Sequence, residues 1–302
     1  MNRQPGIPAS IQDLPPSASA TGPFARPPFI AAVSSLTGEA VWTVADDAAA
    51  LVVVESDREV RLAGDSDLTD YHCPLGSEVK SVVAQLVDAV QPGTRFRFDS
   101  LPGEAASELV DAFGATGLEA EVCQHTVTAV VDISDGYAAY LEAIGKKQRH
   151  EVRRKRRRYE AAVGALIHEV HAGSGWVLEE FFRLHRMSEG DKGSFMTADR
   201  EGFFRELIGQ SGWRLDVLRV PGEERATACL FSYTDDEGVY IYNSCYDPHL
   251  SDASPGVAMI GSMIEQACSE GLPRFDFLKG DEVYKFRLGA EPRPLFEVVA
   301  RK

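Results

Sequence analysis

Between Phe29 and about Asp132 the apolar positions change period every ten residues or so. Ala50–Glu55 opens with five consecutive apolar residues and Glu59–Leu62 alternates, so both read as strands. From Glu78 to Val90, the residues Val79, Val82, Val83, Leu86, Val87 and Val90 recur at the spacing of one helical face. Thr94–Phe98 alternates with period two, Ala105–Phe113 returns to helical spacing, and Glu119–Ile133, rich in Val and Thr, predicts a long or broken strand. Together these make a small α/β unit over residues 29–133.

A second α/β unit is expected over 134–302. Ser134 and Asp135 are placed to cap a helix carrying Tyr137, Tyr140, Leu141 and Ile144, after which Gly145 introduces another helix. Ala165–Val170 predicts a strand, and Val177–His185 and Arg200–Ile208 predict helices. Trp213–Val220, Arg225–Tyr233 and Val239–Tyr246 predict a three-strand antiparallel meander, its last turn built on Asp235-Asp236-Glu237-Gly238. A helix from Ser254-Pro255-Gly256 to about Ser269 follows, then a strand at Arg274–Leu278, a polar stretch to Gly289 and a closing strand at Pro294–Ala300. Before Phe29 there are seven prolines among Ser, Ala and Gly, and residues 1–28 read as a disordered leader.

Composition narrows the class. With 44% hydrophobic and 25% charged residues the chain has a globular mix, and no apolar run approaches the ~20 residues of a membrane span. The amino terminus lacks the apolar core of a signal peptide, so a cytoplasmic protein that does not engage a membrane is expected. Cys73, Cys123, Cys229, Cys245 and Cys268 lie far apart with no C-x-x-C pair, which suits reduced thiols. His168 and His171 stand three apart in a strand, on opposite faces, and no metal site is expected. No nucleophile elbow, dinucleotide fingerprint or Walker A motif occurs.

Charge adds a polarity. The net charge is -15, yet residues 146–158 hold nine Lys or Arg and one Glu, a local +8 that leaves -23 for the remainder. Arg149, Arg153 and Arg157 recur every fourth residue and share a face. Nine cations in four turns repel one another, a cost that a polyanionic ligand, an acidic partner or the chain's own acids offset equally well. Nucleic acid is the weaker reading, because the rest of the chain is acidic and few aromatic residues interleave the cations.

Two further segments carry candidate chemistry. Ser254-Pro255-Gly256 places a good N-cap, a proline at the first helical position and a residue without Cβ over the N–H groups of Gly256, Val257 and Ala258, which suits a phosphate; it also suits an ordinary capped helix. In Phe275-Asp276-Phe277-Leu278-Lys279-Gly280-Asp281-Glu282-Val283-Tyr284-Lys285-Phe286-Arg287 a buried-type strand runs into ionisable groups that could serve acid, base and oxyanion roles, or pair as a solvated turn.

In this order, Lys147-Gln148-Arg149-His150-Glu151-Val152-Arg153-Arg154-Lys155, Tyr246-Asp247-Pro248, Ser254-Pro255-Gly256 and the run from Phe275 to Gly289 resemble the BioF2-like (CelD-type) acetyltransferase domain family, a branch of the GNAT superfamily related to the FemAB peptidyltransferases. Leu68-Thr69-Asp70-Tyr71 resembles a shorter motif common in these proteins. The resemblance implies a tandem GNAT-like acyl-CoA N-acyltransferase fold with mixed, mostly antiparallel sheets flanked by helices. It implies an enzyme that moves an acyl group, acetyl foremost, from acetyl-CoA or another acyl-CoA to an amine of a small molecule, amino sugar or polysaccharide precursor. An aminoacyl-tRNA-dependent transferase and a non-catalytic member of the fold are the alternatives. The donor would pair with the Val239–Tyr246 strand near Asn243 and Cys245 and set its pyrophosphate on Ser254, Gly256, Val257 and Ala258. Asp281 or Glu282 would take or orient the amine proton, Tyr284 would return one, Lys285 would add positive charge at the oxyanion, and Arg149, Arg153 and Lys279 would bind substrate. The chain departs from the usual GNAT pyrophosphate loop at Ser254–Ala258, and Lys279 stands where arginine is common.

Overall fold

The computed structural model describes residues 3–12, 14, 21–188 and 190–302. In chain order the elements are β1 (Gln4–Pro5), α1 (Pro27–Thr37), β2 (Val41–Ala45), β3 (Ala49–Ser56), β4 (Glu59–Leu62), β5 (Leu75–Gly76), α2 (Val79–Ala89), β6 (Arg95–Pro102), α3 (Gly103–Ala115) and β7 (Ala120–Asp132). There follow α4 (Gly136–Ala143), α5 (Gly145–Val163), β8 (Ile167–His171), α6 (Trp176–Arg186), α7 (Asp191–Phe195), α8 (Ala198–Ile208), β9 (Trp213–Arg219), β10 (Ala226–Asp235), β11 (Gly238–Tyr246), α9 (Pro255–Ser269), β12 (Arg274–Lys279), α10 (Val283–Arg287) and β13 (Glu291–Arg301). The fold is mixed α/β, in two compact units: the chain up to Thr128 with Arg293–Lys302, and Ala129–Pro292.

In the first unit the strands run β1-β2-β3-β4-β6-β13, with β5 beside β3. β3 is buried along almost its whole length, as its apolar run requires. Val79, Val82, Val83, Leu86 and Val87 of α2 form the buried stripe that their spacing predicts. Three expectations need correction here. Within the supposed leader, Gln4 and Pro5 pair with Thr43 and Trp42, and Ile11 and Phe24 are buried, so its described part is not disordered; residues 1, 2, 13 and 15–20 lie outside the described residues. The short alternation of Val41–Ala45 is a strand that the sequence reading passes over, and α1 starts two residues before Phe29 on a proline at its first position. The closing strand, expected in the second unit, groups with the first from Arg293 onward, where Leu295–Arg301 pairs antiparallel with Arg95–Pro102.

The second unit holds the antiparallel run β8-β9-β10-β11, joined through β11 to the parallel strand β12. The meander thus matches its prediction, and β10 shows why. Ala228 and Leu230 face a core that includes Met259, Met263 and Ile264 of α9, while Phe231 turns to the other face, against Phe181, Phe204 and Trp213 at ring-centroid distances of 5.6, 4.9 and 5.3 Å. At the start of α4, Asp132 rather than Asp135 supplies the local bonds, accepting from the N–H and hydroxyl of Ser134 at 2.9 and 2.6 Å. Gly145 sits in the left-handed region, φ 74°, and turns α4 into α5. The polar stretch after β12 contains α10, which the charge-rich sequence conceals. No helix among the described residues is long and apolar enough to cross a membrane.

α5 lies along α9, held more by polar contacts than by a broad apolar face. Tyr159 is its buried residue, Val152 packs beside Gly261, and the Tyr159 hydroxyl meets Thr227 Oγ1 at 2.8 Å. Because Thr227 itself donates to the Leu218 carbonyl at 3.2 Å, the phenol is the donor. Tyr159→Phe is expected to lower stability by about 1 kcal/mol through this one bond; an unchanged urea midpoint would show that the bond does not hold the helix.

Candidate active site

Strands β11 and β12 pair in parallel at Val239↔Phe275 and Tyr240↔Asp276 and no further. β11 runs on to Tyr246 while keeping its ladder with β10, where a register slip between Phe231 and Ser232 leaves Tyr242 as a bulge. The carboxyl ends of the two parallel strands therefore part, and such a crevice is where open α/β sheets take their ligands. A cavity of about 400 Å³ occupies it, lined by Ile241, Tyr242, Asn243 and Ser244 from β11, by Phe277 and Lys279 from β12, by Glu282, Tyr284 and Lys285, and by His185 and Phe195.

The far wall is shaped by Lys285. Its side chain is buried, and its Nζ donates to the carbonyls of Lys279 at 2.6 Å and Gly280 at 3.4 Å and pairs with Glu282 Oε2 at 2.9 Å. An isolated buried ammonium is costly, and these oxygens offset that cost by folding the loop around it. Two residues pass through the left-handed region to allow this, Leu278 at φ 60° and Gly280 at φ 113°. A Cβ on Gly280 would fall on the Glu282 carboxylate and lie 3.0 Å from Lys285 Nζ, so glycine is required there. With its Nζ bonded to the loop, Lys285 holds this wall of the cavity in place.

Burial alone would raise the Glu282 carboxyl, but the hydrogen bond from Lys285, the residue's own N–H and the ammonium charge outweigh it and hold it below the usual carboxylate range. The Tyr284 phenol is pushed up to about 12, first by burial and then by the Glu282 charge, and stays protonated at neutral pH. Its ring meets Phe277 edge-on with centroids 6.0 Å apart.

Of the residues singled out from sequence, Asn243, Lys279, Glu282, Tyr284 and Lys285 meet in this cavity, whereas Asp281 is exposed and is not among its lining residues. Cys245 turns into the core, its thiol toward the Phe181 and Cys229 carbonyls, so only its backbone remains for a ligand. His185 was missed. It comes from α6, buried, with Nε2 2.5 Å from Asn243 Oδ1, and its place on the apolar side of an amphipathic helix gives no sequence signal.

At the head of α9, Ser254 is left-handed, φ 59°, and its side chain does not cap the helix; its Oγ accepts from Lys155 Nζ at 3.0 Å. The Ala258 N–H is taken by the Ser254 carbonyl at 3.1 Å, which corrects the expected trio of donors to the N–H groups of Gly256 and Val257 in the first turn. A Cβ on Gly256 would have only Tyr246 Cδ1 beside it, at 3.6 Å.

α5 divides its cations. Arg154 pairs with Glu151 at 2.6 Å, Arg156 with Glu265 at 2.9 Å and Arg158 with Asp252 at 3.6 Å. Lys146, Lys147, Arg149, Arg153 and Arg157, with Arg287 of α10, instead line an open groove of about 1080 Å³, together with Gln148, His150 and Glu151. Among the described residues none of these six has a carboxylate at ion-pair distance; Arg149 donates to the Leu141 carbonyl at 3.2 Å. Among the described residues, no cluster of His, Cys, Asp and Glu could hold a metal ion.

Residues 146–286, within the second unit, match the family model of the acetyltransferase (GNAT) domain. No curated protein matches the chain. Among solved structures, a conserved protein of unknown function from Bacteroides thetaiotaomicron superimposes with a TM-score of 0.69 at 12% identity, covering 100% of each chain. L-PGS from Bacillus licheniformis follows at 0.64 and 13%, covering 100% of this chain and 94% of that one. FemX gives 0.62 and 12%, covering 98% and 97%. At such identities the likeness is one of fold.

Because folding lowers the Glu282 pKa, its ionised form favours the folded state. That contribution is complete above the ordinary value of 4.5 and is lost as pH falls through the lower folded value. Glu282→Gln is therefore expected to flatten the acid limb of the stability curve below about pH 4.5; thermal melts from pH 6 downward that run parallel in both proteins would show that the pair is not formed.

Proposed function

We propose that the GNAT-type acetyltransferase domain of residues 146–286 moves an acyl group, acetyl in the simplest case, from acyl-CoA to an amine of a small molecule, amino sugar or polysaccharide precursor. The parting of β11 from β12 carries this reading. An extended pantetheine arm needs a strand edge with backbone groups to bond, and β11 beyond Tyr240 presents one at the mouth of the cavity. Pyrophosphate needs N–H groups and positive charge, which the first turn of α9 supplies at Gly256 and Val257 with Lys155 alongside.

In the reaction the amine nitrogen attacks the thioester carbon, forming a C–N bond. The acyl oxygen takes the negative charge and is held by N–H groups of β11 near Asn243 and Ser244. The C–S bond then breaks, and the net proton passes from nitrogen to sulfur, leaving an amide and free thiol. Glu282, ionised, attracts and orients the acceptor ammonium, which releases one proton to water to become the attacking amine; Tyr284, protonated, donates to the departing sulfur and is restored by the proton that the nitrogen loses as the amide forms. Lys285 is a positioning residue that fixes both by folding the loop they stand on. An aminoacyl-tRNA donor is the second reading, favoured by the basic groove on α5.

Calorimetry with acetyl-CoA is expected to show binding that Gly256→Trp weakens at least about tenfold by filling the approach to the helix terminus. In a thiol-release assay over a panel of amino sugars and amino acids, Tyr284→Phe is expected to lower kcat by about 10²-fold with acetyl-CoA affinity unchanged. No binding of any CoA species, with a thermal shift from tRNA instead, would replace this reading by the second.

A further inference from the structure

We infer that the unneutralised face of α5 is a docking surface for an acidic acyl carrier protein, which presents the thioester on its own phosphopantetheine arm. The inference rests on the thioester-donor reading and extends it to how the donor arrives. Three observations carry it. First, the cations of α5 are sorted. Those toward α9 are paired with the chain's own acids, while Lys146, Lys147, Arg149, Arg153 and Arg157 meet no carboxylate at ion-pair distance among the described residues, and all but the half-buried Arg149 are exposed. Like charges crowded on one face repel, and an acidic partner relieves that repulsion.

Second, the face has the spacing of a helix partner. Arg149, Arg153 and Arg157 step by four residues, about 6 Å apart along the axis, which carboxylates spaced by four on a facing helix reproduce. Among the described residues no Phe, Tyr or Trp lines the groove, which leaves only His150 and the guanidinium planes for bases to stack on, and a protein surface of carboxylates is favoured over RNA. The rest of the chain carries -23, which repels an acidic partner everywhere else and confines docking to this face.

Third, the face adjoins the chemistry. The five-residue helix α10 contributes Arg287 to the groove and Tyr284 and Lys285 to the cavity, so a carrier seated on α5 stands beside the mouth that its arm must enter. Transfer then breaks the acyl C–S bond on the arm and forms the C–N bond, and the carrier leaves as the free thiol with the amine's proton.

The test measures two affinities in the full chain: that of a fluorescently labelled bacterial acyl carrier protein charged with acetyl-phosphopantetheine, and that of acetyl-CoA. Lys147→Glu combined with Arg157→Glu should weaken the acetylated carrier at least tenfold and leave acetyl-CoA within twofold; Lys147→Gln with Arg157→Gln, which leaves the helix with less self-repulsion, should fall between. Added salt should weaken the carrier more than acetyl-CoA. Parallel losses for both donors would assign the cations to CoA phosphates and overturn the proposal. So would acetyl-CoA binding with no measurable carrier binding, or tRNA binding that the same charge reversals abolish while carrier binding persists. Failure of the thioester reading itself is recognised separately, as loss of binding by both thioesters to the unaltered protein.

Discussion

The Lys285 ammonium is buried in the second unit, and a charge removed from water must be met by oxygens. The carbonyls of Lys279 and Gly280 and the Glu282 carboxylate meet it, and to do so the chain after β12 bends back on itself through left-handed backbone at Leu278 and Gly280. The bend starts the short helix that sets Tyr284 against Phe277 and turns Arg287 toward the basic groove. Burial raises the neighbouring phenol, and the carboxylate that neutralises the ammonium raises it further, so the ion pair acts on both ionisable groups in the wall.

Across the cavity the constraint comes from a ladder that stops. β11 is bonded along one edge to β10 and along the other to β12 for two residue pairs only. The bulge at Tyr242 re-aims the strand where the pairing ends, and the space between the strands becomes accessible from the end where α9 begins. Fold and site are thus one feature: a paired edge would be more regular and would have no cavity.

The helix α5 follows another rule, in which packing decides which charges are spent. Where it lies on α9, its arginines find Glu265 and Asp252, and Lys155 reaches Ser254. Where it faces outward, its cations share a groove with Arg287. The division follows from helical periodicity, since residues four apart repeat one side, and from acids that come from segments about a hundred positions away.

The local pattern of apolar, turn and charged residues alone determined the mixed α/β class, the meander of β9, β10 and β11, the α2 stripe and the basic helix, because each depends on periods of two or 3.6, or on turn residues, within a few consecutive positions. It also marked the loop from Lys279 to Arg287 as chemically dense. It did not determine which of those groups turn inward. Asp281 and Glu282 are exposed neighbours of one type, and the pair with Lys285 sets one of them on the rim of the cavity while the other does not line it. Nor did it assign the last strand to the first unit, remove the cap from Ser254, or bring His185 to Asn243. The last three outcomes rest on contacts between residues tens to hundreds of positions apart, and the Glu282 pair, though local, depends on left-handed backbone at Leu278 and Gly280; no local period encodes them.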